Sequence, residues 1–204
     1  KFKILINKLN SIETGVKAVL LPRLMLNVSF FSISKKIKNK LFKRYHNHKF
    51  SFYGFKQKFG DVDSSMFIRP LNNKNLLDLE VSNESFTAES LFYLNAFPDK
   101  DILIINDNIV YSQYLSQGLT KYSNINRILN PISATATYKK YLDYGKFNIS
   151  LLYIKSLINF YRFSFHSQAN MNLNDKMHNS FLIHLFGYLL GKLYFYYDKF
   201  VFKK

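Results

Sequence analysis

The sequence predicts an α/β protein built on a doubly wound parallel sheet flanked by helices. First, a short aliphatic run at residues 102–105 lies between Pro98 and a polar Asn-Asp-Asn triplet, which is the pattern of a strand buried on both faces. Second, residues 109–119 carry apolar side chains at helical spacing, and a second short aliphatic run follows at 125–129. Third, a polar stretch at residues 131–137 is followed by a long helical pattern at 151–161. Strand, helix, strand and helix in this order favour a parallel sheet.

The composition supports a folded chain with a polyanionic partner. The 204 residues are 48% hydrophobic and 18% aromatic, which is enough apolar material for one core with extensions. The absence of Cys excludes disulfides, thiol catalysis and cysteine-ligated metals. A formal charge of +16 indicates nucleic acid or anionic lipid as the partner. Lysine dominates, since only five of the 29 basic residues are arginine, and this bias is typical of an AT-rich gene from an organellar or similarly biased genome.

The charge is distributed unevenly along the chain. Residues 1–60 hold 14 basic groups and one acid, which gives a net charge of +13. Residues 61–110 hold three basic groups and nine acids, a net charge of −6, and residues 111–204 hold 12 basic groups and three acids, a net charge of +9. We therefore expect a basic N-terminal region at 1–60 and an α/β core at 61–165 that contains the acidic stretch. A linker and a C-terminal aromatic helix follow at 166–204. The acidic stretch either faces a basic protein or is a solvated surface.

Residues 34–49 read as a basic amphipathic helix. Ile37, Leu41, Phe42 and Tyr45 form an apolar stripe at helical spacing, and basic side chains cover the other side. Such a helix can dock its stripe on a core and offer its charges to RNA phosphates, unless the basic side is simply solvated. The predicted phosphate contacts here are Lys35, Lys36, Lys38, Lys40, Lys43 and Arg44.

Residues 50–59 alternate aromatic and polar side chains, which predicts a strand or hairpin with a turn at Gly54. Lys56 and Lys58 lie among these rings and are further predicted RNA contacts. The rings themselves could stack on unpaired bases or could belong to the core. Residues 61–74 read as a loop, and residues 75–94 as partly helical.

The C-terminal third is predicted to be helical after a polar loop. Pro131 and the Ser and Thr residues that follow it, up to 137, read as a loop. Asn148 or Ser150 can cap a helix that continues through Tyr161. Residues 170–174 read as a linker, and 180–197 as a final helix with a broad aromatic face. Two further basic patches are predicted to contact RNA: Lys139 with Lys140, and Lys203 with Lys204.

The sequence lacks the common motifs of catalysis and cofactor binding. It has no G-x-G-x-x-G, P-loop or G-x-S-x-G, and only seven glycines. His46 and His48 lie among lysines, which repel cations, so we predict no metal site. We expect no enzyme, no cofactor and no small-molecule substrate. The longest apolar run, residues 181–191, is about half of the roughly 20 residues that a spanning helix needs, so no membrane span is expected, and no signal or transit peptide is visible.

Short motifs in residues 97–162 resemble a ribosomal family. Phe97-Pro98-Asp99 precedes the first aliphatic run, and Asp143-Tyr144, Asn148 and Ser150-Leu151 follow in order before the helix to Arg162. This succession resembles the C-terminal half of the second small-subunit ribosomal protein family, over about a third of the chain. The first 96 residues lack counterparts of that family's N-terminal motifs, which is expected for a strongly diverged organellar version.

The resemblance implies a flavodoxin-like sheet and a structural role in the small subunit of a mitochondrial ribosome, in the matrix. The implied partners are small-subunit ribosomal RNA and neighbouring ribosomal proteins, with no catalysis. The alternative is an accessory subunit of an organellar membrane complex, in which the C-terminal aromatic helix contacts partner helices or lipid.

Overall fold

The computed structural model describes residues 16–25, 40–60, 64–68, 84–106, 110–112, 122–146, 149–168 and 181–202. The chain forms two compact units: Lys1–Asn73 with Ala96–Gly118, and Lys74–Asn95 with Leu119–Lys204. Residues 61–165, predicted as one core, therefore contribute to both units. The predicted α/β class is confirmed, and the described part of the chain is mostly helical.

The first unit contains a mixed sheet. Its strands are β1 (Ala18–Met25), β2 (Lys49–Phe50), β3 (Ser64–Ile68), β4 (Ile102–Ile104) and β5 (Val110–Ser112). Their order is β2-β4-β1-β3, and β5 also pairs with β1. Strand β1 is parallel to β4 and β5, whereas β3 is antiparallel to β1 and β2 is antiparallel to β4. The expectation of a wholly parallel sheet is thus corrected to a mixed one.

The helices are α1 (Phe52–Phe59) in the first unit and α2 (Glu89–Ala96), α3 (Ser123–Leu129), α4 (Pro131–Gly145), α5 (Leu151–Ser167) and α6 (Phe181–Val201). A further helical segment is described at residues 40–44. In the second unit α5 packs against both α4 and α6. The core of that unit is a cluster of Leu142, Tyr153, Leu157, Phe160 and Tyr161.

The aliphatic run at 102–105 is confirmed as a buried strand. Ile102, Leu103 and Ile104 are all buried, and they pair in parallel with Ala18, Val19 and Leu20 of β1. Because β4 has β1 on one side and β2 on the other, it lies inside the sheet, where a continuous apolar run is expected.

Strand β1 was not predicted from the sequence. Pro22 lies within this strand, although proline lacks the N–H that a central strand needs. Residues 18–20 pair with β4 and residues 23–25 with β5, so Pro22 lies between the two parallel pairings. Because Pro22 lies where β1 changes its parallel partner from β4 to β5, its missing N–H removes no hydrogen bond from either parallel pairing.

The second predicted strand is wrong, because residues 125–129 belong to α3. The run has apolar residues at Ile125, Ile128 and Leu129, a spacing of three and four that fits a helix face as well as a short strand. Residues 110–112, predicted as helix, form β5, and the rest of 109–119 lies outside the described residues.

The loop predicted from Pro131 to 137 is also wrong, since these residues begin α4. Proline suits the first position of a helix, where its missing N–H has no partner to lose. The Thr135 and Thr137 hydroxyls donate to the carbonyls of Pro131 and Ser133, four residues earlier, at 2.7 and 2.8 Å. The polar side chains are therefore satisfied inside the helix.

The hairpin predicted for residues 50–59 is replaced by β2 and α1. The Ser51 hydroxyl caps α1 by accepting from the Gly54 N–H at 3.0 Å, and Gly60 ends the helix with φ +63°. Gly54, predicted at a turn, is inside the helix. Residues 64–68, predicted as loop, form β3.

Three helical predictions are confirmed. Residues 89–94 of the stretch predicted as partly helical belong to α2. The Ser150 hydroxyl caps α5 by accepting from the Tyr153 N–H at 3.2 Å. The final helix is α6. The linker predicted at 170–174 lies outside the described residues.

Candidate nucleic-acid interface

The helix predicted at residues 34–49 is described from residue 40 onward, and it is shorter than predicted: residues 40–44 are helical, residues 45–47 form a turn, and Lys49 begins β2. Phe42 is fully buried, whereas Lys40, Lys43 and Arg44 are exposed, so the described half of the segment has the expected apolar and basic sides. Lys35, Lys36 and Lys38 lie outside the described residues. The Arg44 guanidinium lies over the Tyr45 ring at 5.5 Å, which leaves its N–H groups at the surface.

An aromatic cluster holds this segment against α1 and β2. The ring centroids of Phe42 and Phe59 are 5.2 Å apart, and the Tyr45 ring is 5.5 Å from both Phe50 and Phe59. Phe55 stacks on Phe59 at 4.8 Å. Phe42, Phe55 and Phe59 are nearly inaccessible, so these three rings are core residues and are not positioned to stack on bases, whereas Tyr45 and Phe50 are half-buried.

The turn after the basic segment is tied to β4. Asn47 has φ +62°, and its N–H donates to the Ile104 carbonyl at 2.8 Å, while the Ile104 N–H donates to the His48 carbonyl at 3.0 Å. The Asn106 N–H donates to Nδ1 of His46 at 3.1 Å. His46 is therefore used as a local acceptor. Within the described ranges, no group of three or more His, Asp or Glu side chains could hold a metal ion.

Helix α1 adds two more basic side chains to the same unit. Lys58 is exposed, and the Lys56 ammonium lies over the Phe52 ring at 5.9 Å. Both lie in the last turn of α1, where positive charge is favoured by the helix dipole. Residues 40–60 contain six basic residues and no acid, so this stretch provides no carboxylate of its own to neutralise them.

Two acids of the acidic stretch make contacts inside the protein. The Asp101 carboxylate accepts from the Lys17 ammonium at 3.0 Å. The Glu84 carboxylate accepts from the Ile132 and Ser133 N–H groups, both at 2.7 Å, and so caps the start of α4. Neither group is a simple solvated charge or a free docking group for a basic protein.

The second predicted patch lies on α4. Lys139 is exposed, and Lys140 is half-buried with its ammonium 5.8 Å from the Tyr144 ring centroid. The Tyr144 hydroxyl in turn donates to the Leu94 carbonyl at 3.0 Å, which anchors that ring on the second unit. Lys203 and Lys204, the third patch, lie outside the described residues.

Sequence reasoning missed a buried ionic network between α5 and α6. Asp198 accepts from Nε and a terminal N–H of Arg162, at 2.7 and 2.6 Å, and its Oδ2 is 3.0 Å from Nε2 of His166. The Asp198 side chain is 1% exposed and that of Arg162 is 13% exposed. A bidentate arginine is the geometry in which a buried carboxylate is best compensated.

A second polar group, also missed, lies on the same face of α6. The two ring nitrogens of His184 are 3.5 Å from the Tyr153 hydroxyl and 3.3 Å from that of Tyr161. Burial lowers the pKa of His184, which favours its neutral form. Burial and the neighbouring Tyr153 and Tyr188 raise the pKa of Tyr161.

A signal for both groups exists in the sequence. His184, Gly187, Gly191 and Asp198 recur at intervals of three, four and seven, so a helix places them on one face. All four are the buried residues of α6, and the opposite face consists of exposed Leu, Phe and Tyr side chains.

Among the described helices, none has both the length and the apolar character needed to cross a membrane.

Comparison with protein-family models, with curated protein sequences and with solved structures finds no match to this chain.

Proposed function

We propose that this protein is a structural constituent of the mitochondrial small ribosomal subunit. In this role it binds ribosomal RNA through phosphate contacts, contacts neighbouring ribosomal proteins and has no catalytic activity. The observation that supports the proposal most directly is the surface of residues 40–60, where Lys40, Lys43, Arg44 and Lys58 are exposed in a stretch without acids. Flexible lysines position an RNA backbone without reading its sequence.

The way this surface is built supports the same role. Phe42 and Phe59 fix two basic helical segments to a common aromatic core, so their charges are presented by a rigid scaffold. A pre-organised set of cations loses less entropy on binding a phosphate backbone than a disordered tail does.

The proposal includes a flavodoxin-like fold for the sheet and its helices. A flavodoxin-like arrangement is supported by the parallel pairing of β1 with β4 and β5, and by the buried strand that follows Phe97. The Ser150 cap that opens α5 lies where the ribosomal resemblance places a serine. Against it stand the antiparallel neighbours and the helical residues 125–129.

The test is RNA binding by the full chain as a function of salt. Filter binding of a small-subunit ribosomal RNA transcript should weaken with a log–log slope of about −5 to −7, for six to eight neutralised phosphates. The triple variant Lys40→Gln, Lys43→Gln and Arg44→Gln should reduce the size of that slope by about 2–3.

A charge-matched control separates a surface from a net-charge effect. The variant Lys155→Gln, Lys192→Gln and Lys199→Gln removes the same charge from the second unit, and its slope should stay close to that of the unmodified chain. Equal losses in both variants, or no RNA binding at low salt, would refute the proposed surface. Co-sedimentation of the tagged protein with small subunits in an organelle lysate tests the ribosomal assignment itself.

A second candidate function is an accessory subunit of an organellar membrane complex. It is favoured by the exposed apolar side chains on the outward face of α6. The two candidates separate on extraction: a ribosomal protein follows the small subunit through a sucrose gradient in detergent, whereas a membrane subunit stays with detergent micelles and a membrane complex.

A further inference from the structure

The outward face of α6 carries a regular repeat of large apolar side chains. Phe186, Leu189, Leu193, Tyr196 and Phe200 follow one another at intervals of three, four, three and four, and they are 52 to 82% exposed. We name these five residues the outer seam. They cover about 21 Å of helix at 1.5 Å per residue, and their spacing is that of the a and d positions of a coiled coil.

The inner face of the same helix is already occupied. An added Cβ at Gly187 would be 2.6 Å from Cγ of Leu157, and one at Gly191 would be 2.8 Å from the Ile158 carbonyl oxygen. Helix α5 therefore fits against α6 at close range, and the apolar outer seam lies on the side away from it. A contiguous row of large apolar side chains left exposed on a folded protein marks an interaction site, so the outer seam is expected to meet a partner.

The charges beside the outer seam indicate what kind of partner. With Phe186 and Leu193 at a positions, Lys192 and Lys199 fall at two successive g positions, where coiled coils place the charges that select a partner. Their ammonium groups lie over the rings of Tyr188 and Phe195, at 6.0 and 4.5 Å, along one flank of α6. Asp198 is the only acid of α6, and it is buried and paired.

A second copy of this chain does not complement that flank. In an antiparallel pair of α6 helices, lysines at g would face lysines, and in a parallel pair they would face the e positions, Leu190 and Tyr197. Neither arrangement supplies an acid, and two copies of a +16 chain repel each other. The exposed face is also broad, since Leu185, Tyr194 and Tyr197 beside the outer seam are 41 to 61% exposed. A lipid surface would use that breadth, whereas the repeat of three and four with lysines at g is the pattern that a partner helix matches.

We propose that the outer seam binds an amphipathic helix of another protein, with apolar residues at its a and d positions and acidic residues facing Lys192 and Lys199. This inference goes beyond RNA binding and does not require it, because the outer seam and the 40–60 surface belong to different units.

The experiment uses the full chain and two designed 21-residue helical peptides. Both have Leu at a and d and a single Trp, which is the only Trp in the mixture because the chain has none. One peptide has Glu at the flanking positions, and the other has Lys there. The Glu peptide should bind at least tenfold more tightly by Trp anisotropy. The double variant Lys192→Glu and Lys199→Glu should reverse the preference.

A neutral change in the outer seam tests the apolar part. Leu189→Gln with Leu193→Gln should weaken binding of the Glu peptide at least tenfold, while Leu151→Gln, at an apolar position on α5 that is even more exposed, should change it less than twofold. All variants should keep the circular dichroism spectrum of the parent, since the altered side chains are exposed.

Three results would overturn the proposal. The first is equal binding of both peptides. The second is binding to phosphatidylglycerol vesicles, lost in the double Leu variant, with no binding to either peptide. The third is a dimer in sedimentation equilibrium that the same double variant dissociates, because it would show a second copy on the outer seam.

Discussion

Asp198 shows how a single buried charge can hold two helices together. Its carboxylate sits on α6, but all three of its described partner atoms belong to Arg162 and His166 of α5. A buried ion pair adds little compared with a well-packed apolar pair, whereas removing one member leaves the other uncompensated. We therefore expect the network to fix which faces of α5 and α6 meet.

The variant Asp198→Asn should lower the free energy of unfolding by about 3 kcal/mol, because it leaves the Arg162 guanidinium buried without an anion. Urea unfolding at pH 7, followed by circular dichroism, measures this loss. Asp143→Asn removes an exposed carboxylate from α4 and should change the free energy by less than about 0.5 kcal/mol. Similar effects of the two substitutions would contradict the assigned role of the network.

His184 gives the second unit a defined response to pH. Because burial lowers its pKa, the folded protein binds this proton less readily than the unfolded chain, whose His pKa is near 6.5. The stability that neutral His184 provides is complete above that pH and decreases as the pH falls from 6.5 through the lowered pKa.

His184→Gln should therefore flatten the acid side of the stability profile. Urea midpoints measured between pH 7.5 and 5 should fall more steeply for the parent than for the variant, because glutamine does not titrate. The other histidines are common to both proteins, so the difference isolates His184. Parallel profiles would show that this residue is not responsible.

At the scale of elements, the predictions that succeeded rest on local signals that the surrounding structure does not override. The strand at 102–104 is a continuous apolar run, and the helix after Ser150 has both a cap and a long apolar pattern. The helix α6 was predicted as an element, but its polar inner face was not, because the sequence alone does not say which side packs on α5.

The failures concern patterns that fit two structures. Phe50 and Phe52 alternate as in a strand, while Phe52, Phe55 and Phe59 are spaced as in a helix, and the Ser51 cap decides for the helix. For α4, a distant acid provides the missing information: Glu84 caps its first turn across 48 residues of sequence. This contact cannot be predicted from Pro131 and the residues that follow it.

The close approach of α5 and α6 leads to a prediction at Gly191. A methyl group there would be 2.7 Å from Cβ of Tyr161 and 2.9 Å from the Arg162 backbone nitrogen, so α6 would have to move outward. Overpacking of this kind costs about 1–3 kcal/mol, and the better helix propensity of alanine offsets up to about 1 kcal/mol. We expect Gly191→Ala to lower the thermal midpoint.

Gly187→Ala is the matched comparison on the same helix. Its added Cβ would meet only side-chain atoms of Leu157, which can be relieved by a second change, Leu157→Ala. Leu157 and Tyr161 belong to the core, so each truncation lowers the midpoint by itself and serves as the reference for its own double variant. Gly187→Ala should lower the midpoint less in the Leu157→Ala background than in the parent, whereas Gly191→Ala should lower it by a similar amount in the Tyr161→Ala background, because backbone atoms remain in the way. Strong coupling at both positions would contradict the backbone clash.

At the scale of the whole molecule, charge opposes folding. The chain has a formal charge of +16, and two of its acids are already used by Lys17 and by the start of α4. The exposed basic residues of 40–60 therefore repel one another in the isolated protein.

The composition of the sequence predicted this repulsion and the basic side of the 40–44 segment. It did not predict the division into units, which depends on packing between distant segments.

Salt should consequently stabilise the isolated protein. Raising NaCl from about 0.05 to 0.5 M shortens the screening length to a few ångströms, and the thermal midpoint should rise. In the variant Lys40→Gln, Lys43→Gln, Arg44→Gln and Lys58→Gln the rise should be smaller, because part of the repulsion has been removed. A midpoint that falls with salt in the parent would mean that ion pairs outweigh the repulsion.

The pairing of β1 with β4 has a consequence for the order in which the chain is made. Lys17 and Asp101, the ion pair beside these strands, are 84 residues apart. At about 5–20 residues per second of synthesis, β1 waits roughly 4–17 s for its parallel neighbour. During that interval Ala18, Val19 and Leu20, buried in the finished protein, have no β4 to cover them. Stalled nascent chains, extended to clear the exit tunnel, should resist protease within β1 only when they include residues up to 106.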